Sequence, residues 1–249
     1  MIWLLVLLSA RSDFSRDAVR CISYQRKHPD FAVKIETGGN GIDWYSHEEW
    51  SATRWSARSA EIRGSKGGHS LVLQLVGDRL TTFDVGSSSS KSESRSYTGD
   101  ALEELAGLFT TKQPSLFSLD SRAIELACSP SKLAALLRDL QHAGPIRHAQ
   151  PSPRMKRDPH AYLLLHGARS VFGKRWFGNR LHVFFDAKTG RLTSIGTDEE
   201  AQGRDNEFFT LTYSAAKGSK PFRAADVLVR PPVVRSGAVR SATHRRSSA

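Results

Sequence analysis

The chain has 249 residues, 39% hydrophobic and 9% aromatic, which is enough apolar side chain for a buried core and excludes a disordered protein. Its net charge of +11 is uneven, because residues 230–249 contain five arginines and no acidic residue. Two cysteines, Cys21 and Cys128, exclude a disulfide-dense scaffold and a four-cysteine zinc site. They could pair in an oxidising compartment, although the sequence favours two buried free thiols.

The first ten residues, MIWLLVLLSA, form an apolar run as long as the core of a secretory signal and too short to span a bilayer. The basic residues that normally precede such a core are missing. We therefore interpret residues 1–12 as a weak or truncated signal segment. The alternative is a first segment that is buried in the fold.

The next part of the chain predicts one helix followed by strands. Residues 15–27 read as a helix, and residues 31–37 alternate apolar and polar side chains with the period of a half-buried strand. A second strand is predicted over residues 50–57. Residues 58–85 then read as three strands joined by short turns, which is an antiparallel meander. The polar run GSSSSKSES that follows is expected to be an exposed connection.

From Thr98 the apolar residues recur with helical spacing. TGDALEELAGLF has acidic residues in its first turn, and SPSKLAALLRDLQHAG starts with Ser129 as N-cap and Pro130 at the first helical position. Gly144 is predicted at the C′ position of this second helix. Residues 145–160 are rich in proline and basic residues and are expected to be a connection.

Strands return after residue 160 and end near residue 232. One of them forms a hairpin, VFFDAKTGRLTSI, whose turn places Gly190 where a positive φ is needed. The pattern gives about nine to eleven strands in all. Helices gathered between two runs of antiparallel strands indicate an α+β fold.

The sequence contains no recognisable catalytic or metal-binding motif. In GARSVFGKR five residues separate the two glycines, and Arg175 stands where a phosphate-binding loop needs serine or threonine. No nucleophile elbow occurs, the scattered histidines lack metal-ligand spacing, and the paired carboxylates fit solvated faces. We therefore predict a non-enzymatic protein with no metal and no cofactor.

Two other functions remain open from the residues alone. The basic tail and the mixture GKRWFGNR favour a basic intracellular protein associated with nucleic acid, although the strand signature of RNA-binding domains is absent. A hydrolase with an unrecognised site is the third alternative.

Three stretches resemble the LolA/LolB-like superfamily of lipoprotein carriers: LQLVGDRLTTFD, VFFDAKTGRLTSI and FFTLTYSAAKGSKPFRAADVLVRPP. The first is similar to a strand pair of that superfamily, the second to its late hairpin, and the third to its closing strands. The resemblance implies a strongly curved antiparallel sheet, an incomplete β-barrel, with helices between two runs of strands acting as a lid. It also implies one domain over residues 13–232. Residues 233–249, a basic tail that the superfamily lacks, are expected to be disordered.

The resemblance further implies an apolar cavity that binds a lipid or lipoprotein acyl chain in the cell envelope or periplasm, in a monomeric protein. The basic tail would contact anionic lipid or nucleic acid. A leucine-striped helix facing a concave sheet agrees with such a cavity, and the alternative is that the same residues fill a solid core. The predicted lining residues are Leu71, Leu73, Leu75, Phe83, Leu136, Leu140, Leu163, Leu165, Phe185 and Phe209.

Overall fold

The fold is one open antiparallel sheet of 11 strands with four helices packed on one face, as seen in a computed structural model. The strand order in the sheet is β6-β5-β4-β3-β2-β1-β11-β10-β9-β8-β7, so β6 and β7 are its edges. This confirms the expected α+β class and incomplete barrel. The structure describes residues 2–40, 45–66, 69–87, 89–112, 118–149, 159–165, 180–197, 206–217 and 221–222.

The first half of the sheet is a six-stranded meander in which each strand pairs with the next one along the chain. Alternating apolar residues give each strand one buried face, and short turns place consecutive strands side by side. In the tight turn after β4, Gly77 adopts the positive φ of 63° that such a turn needs. The strands are β1 (Phe31–Asn40), β2 (Tyr45–Ser56), β3 (Ser59–Lys66), β4 (His69–Val76), β5 (Arg79–Asp84) and β6 (Ser89–Ser94).

The second half is another meander, and its last strand closes onto the first strand of the chain. The predicted hairpin is present, with Gly190 at a φ of 75° and the Asp186 carboxylate accepting hydrogen bonds from turn backbone N–H groups. The strands are β7 (Ile146–His148), β8 (Pro159–Leu164), β9 (Leu181–Asp186), β10 (Leu192–Thr197) and β11 (Asn206–Ser214).

Four helices cover one face of the sheet. They are α1 (Ile2–Lys27), α2 (Ala101–Lys112), α3 (Ser118–Cys128) and α4 (Pro130–Leu140). Helix α2 packs on β2–β4, α3 on the central strands β1 and β11, and α1 on β7, while α4 lies between α3 and α1. The helices therefore form a continuous layer over the sheet.

The first helix is longer than the sequence predicts, because it runs through residues 2–12 and continues to Lys27. Ala10 and Phe14 of this helix are completely buried in the core. No helix in the described part of the chain is both long and apolar enough to cross a membrane.

Helix α4 begins as predicted and ends earlier than predicted. The Ser129 hydroxyl accepts a hydrogen bond from the Lys132 backbone N–H, which is the expected N-cap. The helix ends at Leu140 with Gln141 as C-cap, so Gly144 is not at C′. Gly144 instead adopts a positive φ of 135° in the following turn.

Two predicted connections contain strands. Residues 89–94 of the serine-rich run form the edge strand β6, with all six residues exposed. Such a strand has no apolar face from which the sequence could predict it, and backbone pairing with β5 holds it in place. Residues 146–148, within the proline-rich run, form β7. Residues 150–158 of that run, the mixture GKRWFGNR apart from Arg180, and the basic tail lie outside the described residues.

The core lies between the helices and the sheet. It is one cluster of buried apolar side chains drawn from every helix and from one face of the strands. Trp50 of β2 and Phe109 of α2 meet edge to face, with ring centroids 6.4 Å apart. Cys21 and Cys128 are buried free thiols within this layer, as expected.

Candidate functional site

A groove opens where the C-terminal half of α1 and the start of α4 diverge above the beginning of β1. Its volume is about 370 Å³, within the range of small-molecule sites. Helix α1 follows an i, i+3, i+4 spacing that brings Ile22, Gln25 and Arg26 to one face. The remaining walls come from α4 and from the sheet: Pro130, Ser131, Ala134 and Arg138, with Pro29, Phe31 and Arg54.

A second cavity, of about 230 Å³, adjoins the groove between α1 and the central strands. Gln25 and Phe31 line both spaces, so the two spaces adjoin at these residues. Phe31 also packs against Tyr213, with ring centroids 6.0 Å apart. The other lining residues of this cavity are Tyr24, His28, Asp30, Arg191, Leu192, Tyr213, Ser214, Ala215 and Lys217.

The rim of the groove is basic, whereas its floor is apolar. Arg54 is bound in place, since its guanidinium donates to Asp100 Oδ2 at 2.8 Å and to the Pro29 carbonyl oxygen at 2.6 Å. Arg26 and Arg138 are exposed and have no ion-pair partner among the described residues. These two guanidinium groups are therefore available to an anion at the mouth of the groove.

Three ionisable side chains, Cys21, Cys128 and Tyr213, are buried in the core. Burial raises the pKa of the Cys21 thiol to about 11 and raises that of the Cys128 thiol as well. Burial also raises the pKa of the Tyr213 hydroxyl well above its ordinary value. At neutral pH all three groups are therefore protonated and neutral, as an apolar ligand would require.

The middle of α1 is fixed to the sheet by a buried carboxylate. Asp17 is completely buried, and its Oδ2 accepts a hydrogen bond from the Tyr162 hydroxyl at 2.7 Å and lies 2.6 Å from His160 Nδ1. Burial and the neighbouring Asp17 raise the pKa of Tyr162. One turn later, the Arg20 guanidinium donates to the carbonyl oxygens of Ala187 and Lys188 in the hairpin. These contacts hold the helix beside the groove.

The structure brings seven of the ten predicted lining residues to the interface between the helices and the sheet. Six of them belong to the buried core cluster, and Leu71 packs against that cluster while partly buried. These residues pack against one another in the core, and none of them lines either of the two cavities. The six are Leu73, Leu75, Leu136, Leu140, Phe185 and Phe209.

The other three predicted residues do not belong to the buried core cluster. Phe83 is paired with Val72 on the opposite face of β4 and β5, where its ring contacts Phe222. Leu163 is paired with His182, also on the outer face, because the core-facing residues of β8 are Tyr162 and Leu164. Leu165 follows the end of β8 and is half-buried.

Sequence reasoning missed the residues that line the two cavities. Ile22, Phe31 and Ala134 belong to elements that were predicted, but the gap between them depends on how α1 and α4 diverge in space. For Phe31 alone the sequence offered an indication. It is the first residue of its strand, and in the structure it is only partly buried against the core.

The fold and the site define an open antiparallel half-barrel with a helical layer and an apolar groove at one end of that layer. No protein-family model matches the chain, and no curated protein matches it in sequence. Solved structures do match it. They include the lipoprotein LppX of Mycobacterium tuberculosis, at 9% identity over 86% of this chain and 98% of that one, with a TM-score of 0.44.

Two further matches have similar coverage. LprF of Mycobacterium bovis is 8% identical over 85% of this chain and 97% of that one, with a TM-score of 0.47. A LolA superfamily protein of Nitrosomonas europaea is 10% identical over 80% and 90%, with a TM-score of 0.31. The three structures thus include one of the superfamily that the sequence resembles. At such identities a match concerns the fold and says nothing of the ligand.

Proposed function

We propose that this protein binds the acyl chain of a lipid or lipoprotein without catalysis, with the chain lying between the helical layer and the concave face of the sheet. The observation that carries this proposal is the pair of adjoining cavities at one end of the layer. They meet at Phe31, which is itself packed against the core, so the route from the surface into the apolar interior is short.

The chemistry of the walls supports an amphipathic ligand. Ile22, Phe31 and Ala134 give the groove an apolar floor, on which an alkyl chain is favoured by about 0.8 kcal/mol for each buried methylene. At the mouth, Arg26 and Arg138 offer two cations to an anionic head group. A lipid with a charged head and an apolar tail satisfies both regions at once.

In this proposal, the predicted lining residues that now fill the core become the walls of a space that opens when the ligand binds. The helices and the sheet meet largely through apolar side chains, and contacts of this kind separate and reform without stranding polar groups. Leu136 and Leu140 continue along α4 from the groove at Ala134. The alkyl chain would extend from the groove along these leucines toward Phe209 and Phe185 on the sheet.

We further propose a monomer acting in the cell envelope or periplasm. An acyl chain or a lipoprotein is the partner, and residues 1–12 act as a targeting segment that stays on the folded protein as the start of α1.

A cavity-filling substitution tests this function. Ala134→Trp places an indole in the groove, whereas Ala135→Trp places the same ring on the exposed face of the same helix. We expect the Ala134→Trp variant to lose at least tenfold in affinity for a fluorescent fatty-acid probe, and the Ala135→Trp variant to bind like the unchanged protein. Native mass spectrometry of both variants and of the parent then shows which of them carry a co-purified acyl species.

Equal probe binding by the two tryptophan variants would place the ligand elsewhere. A parent protein that neither carries an acyl species nor binds the probe would overturn the proposed function as a whole, and the interior would then be a solid core.

A further inference from the structure

The hydroxyl of Tyr213, buried in the helix-facing layer, has no hydrogen-bond partner among the residues that the structure describes. Tyr213 of β11 is 7% exposed, its hydroxyl oxygen is inaccessible to solvent, and it makes no hydrogen bond in the structure. Its side chain also lines the second cavity. Buried polar groups are nearly always hydrogen-bonded, and leaving one unpaired destabilises a protein. An acceptor on a bound molecule would satisfy this unpaired hydroxyl.

The surroundings of Tyr213 define what that partner is. Tyr213 belongs to the same buried core cluster as the neutral thiols Cys21 and Cys128, and the ring of Phe31 packs against its own ring. Burial favours the protonated hydroxyl, so the group acts as a hydrogen-bond donor. A second hydroxyl without a partner, Thr37 Oγ1, is buried on the same face of the β1–β11 pair. The partner must therefore supply an acceptor inside an apolar layer.

We propose that the Tyr213 hydroxyl donates a hydrogen bond to the ester carbonyl oxygen of a bound acyl lipid. This rests on the proposed function, because the ligand reaches Tyr213 through the cavity that adjoins the groove. With the carbonyl at Tyr213, the alkyl chain continues into the apolar layer and a charged head group remains at the surface, on the side of Arg26 and Arg138.

A neutral ester fits this position better than a free carboxylate. Burying a carboxylate requires a cation or several donors. The cationic residues that line the second cavity do not share the burial of the Tyr213 hydroxyl, since Arg191 is only half-buried and Lys217 is exposed. An ester carbonyl needs only one donor, and Tyr213 supplies one. The inference thus narrows the ligand from any acyl chain to an esterified one.

The test compares two probes of equal chain length, methyl palmitate and hexadecane, in competition with a fluorescent apolar reporter. In the Tyr213→Phe variant we expect methyl palmitate to bind about five- to tenfold more weakly and hexadecane to bind within twofold of the parent. The matched control is Tyr97→Phe, which removes another inaccessible tyrosine hydroxyl with no hydrogen-bond partner among the described residues and which lies outside both cavities. That variant is expected to keep both affinities.

Stability and vibrational measurements separate this role from a structural one. Tyr213→Phe should raise the unfolding midpoint, because it removes an unpaired buried group, while Tyr162→Phe, which removes the hydrogen bond to Asp17, should lower it. With carbonyl-labelled methyl palmitate bound to the parent, the carbonyl stretch should lie at lower frequency than in hydrocarbon solvent, and should return toward that value in Tyr213→Phe.

Equal weakening of methyl palmitate and hexadecane in Tyr213→Phe would overturn the hydrogen bond and leave acyl binding standing, since the tyrosine would then be only part of the wall. Unchanged binding of both probes would overturn it in the same way. Binding of neither probe by the parent would overturn the proposed function and this inference together.

Discussion

The indole ring of Trp50 lies over Gly64 of the neighbouring strand, in the space that a side chain at position 64 would occupy. The two residues face each other across the β2–β3 pair, and a Cβ atom on Gly64 would overlap the indole. The ring then continues to Phe109 of α2. The missing side chain of Gly64 thus allows a large aromatic residue to join the sheet to its helical layer.

Gly64→Ala should therefore destabilise the protein. The new methyl group would collide with the indole of Trp50, which is only 4% exposed and packed between β3 and α2. Overpacking of this kind costs about 1–3 kcal/mol, to be measured as the free energy of unfolding in urea. The matched control is Gly107→Ala in α2, where a Cβ meets open space. That change should stabilise by about 0.5–1 kcal/mol, since alanine is the better helix former. A stable Gly64→Ala variant would contradict the packing of Trp50.

Stability should fall as pH rises above about 9. An unfolded thiol loses its proton near the ordinary pKa of 9.0, whereas the folded Cys21 keeps its proton up to about pH 11. Between these values the unfolded chain binds fewer protons than the folded chain. Unfolding is then favoured by about 1.4 kcal/mol for each pH unit from this group alone. The buried Cys128 acts in the same direction.

Urea titrations at pH 7, 9 and 10 measure this effect, and Cys21→Ala should flatten the dependence. The folded protein should also react slowly with a thiol reagent at pH 8, with both thiols becoming reactive on unfolding. Rapid labelling of either cysteine in the folded state would show that its thiol is exposed.

A short segment on the outer face should be coupled to β5 through two rings. Phe222 and Phe83 meet edge to face with centroids 5.0 Å apart, and the Phe222 backbone N–H donates to Glu61 Oε2 at 2.7 Å. The Arg63 guanidinium lies over the Phe222 ring at 5.3 Å. A double-mutant cycle of Phe83→Ala and Phe222→Ala should give a coupling energy of about 0.5–1.5 kcal/mol. Additive effects of the two changes would show that the rings act independently.

Thr37→Val should stabilise the free protein. Thr37 is completely buried and its hydroxyl has no partner, so replacing that hydroxyl with a methyl group removes a desolvated polar atom at nearly constant volume. We expect a gain of about 1 kcal/mol in the free energy of unfolding. Thr53→Val, on the half-buried outer face of β2, is the control and should change little. A loss of stability in Thr37→Val would mean that the hydroxyl is paired in solution.

Strands and helices with strong periodicity could be predicted from the sequence, because their side chains alone report which face is buried. The β4–β5 pair and the Ser129 cap are examples, and both occur where the pattern placed them. The edge strand β6 could not be predicted, since a strand with six exposed polar residues has no period to detect. Its existence depends on the free edge of β5, which is a property of the sheet.

The candidate site was harder to predict for a geometric reason. Alternation along a strand shows that Leu163 and Tyr162 face opposite sides, but it does not show which side the helices cover. For this reason the sequence pattern predicts Phe83 and Leu163 in the interior, whereas the structure has them on the outer face of the sheet. The groove itself is a gap between two helices, and its lining residues carry no distinctive spacing.

The pairing of β1 with β11 sets the order in which this chain can fold. Each half of the sheet is built from local hairpins that close rapidly, but the central pair joins residues such as Ala32 and Ser214, which are 182 positions apart. We therefore expect the two halves to form first. The β1–β11 pair closes last, because closing it costs the chain entropy of the whole segment between the two strands. Until it closes, β1 and β11 present unpaired backbone edges next to exposed apolar side chains. These central edges, rather than the polar outer edge at β6, are the places where partly folded chains would exchange strands or aggregate.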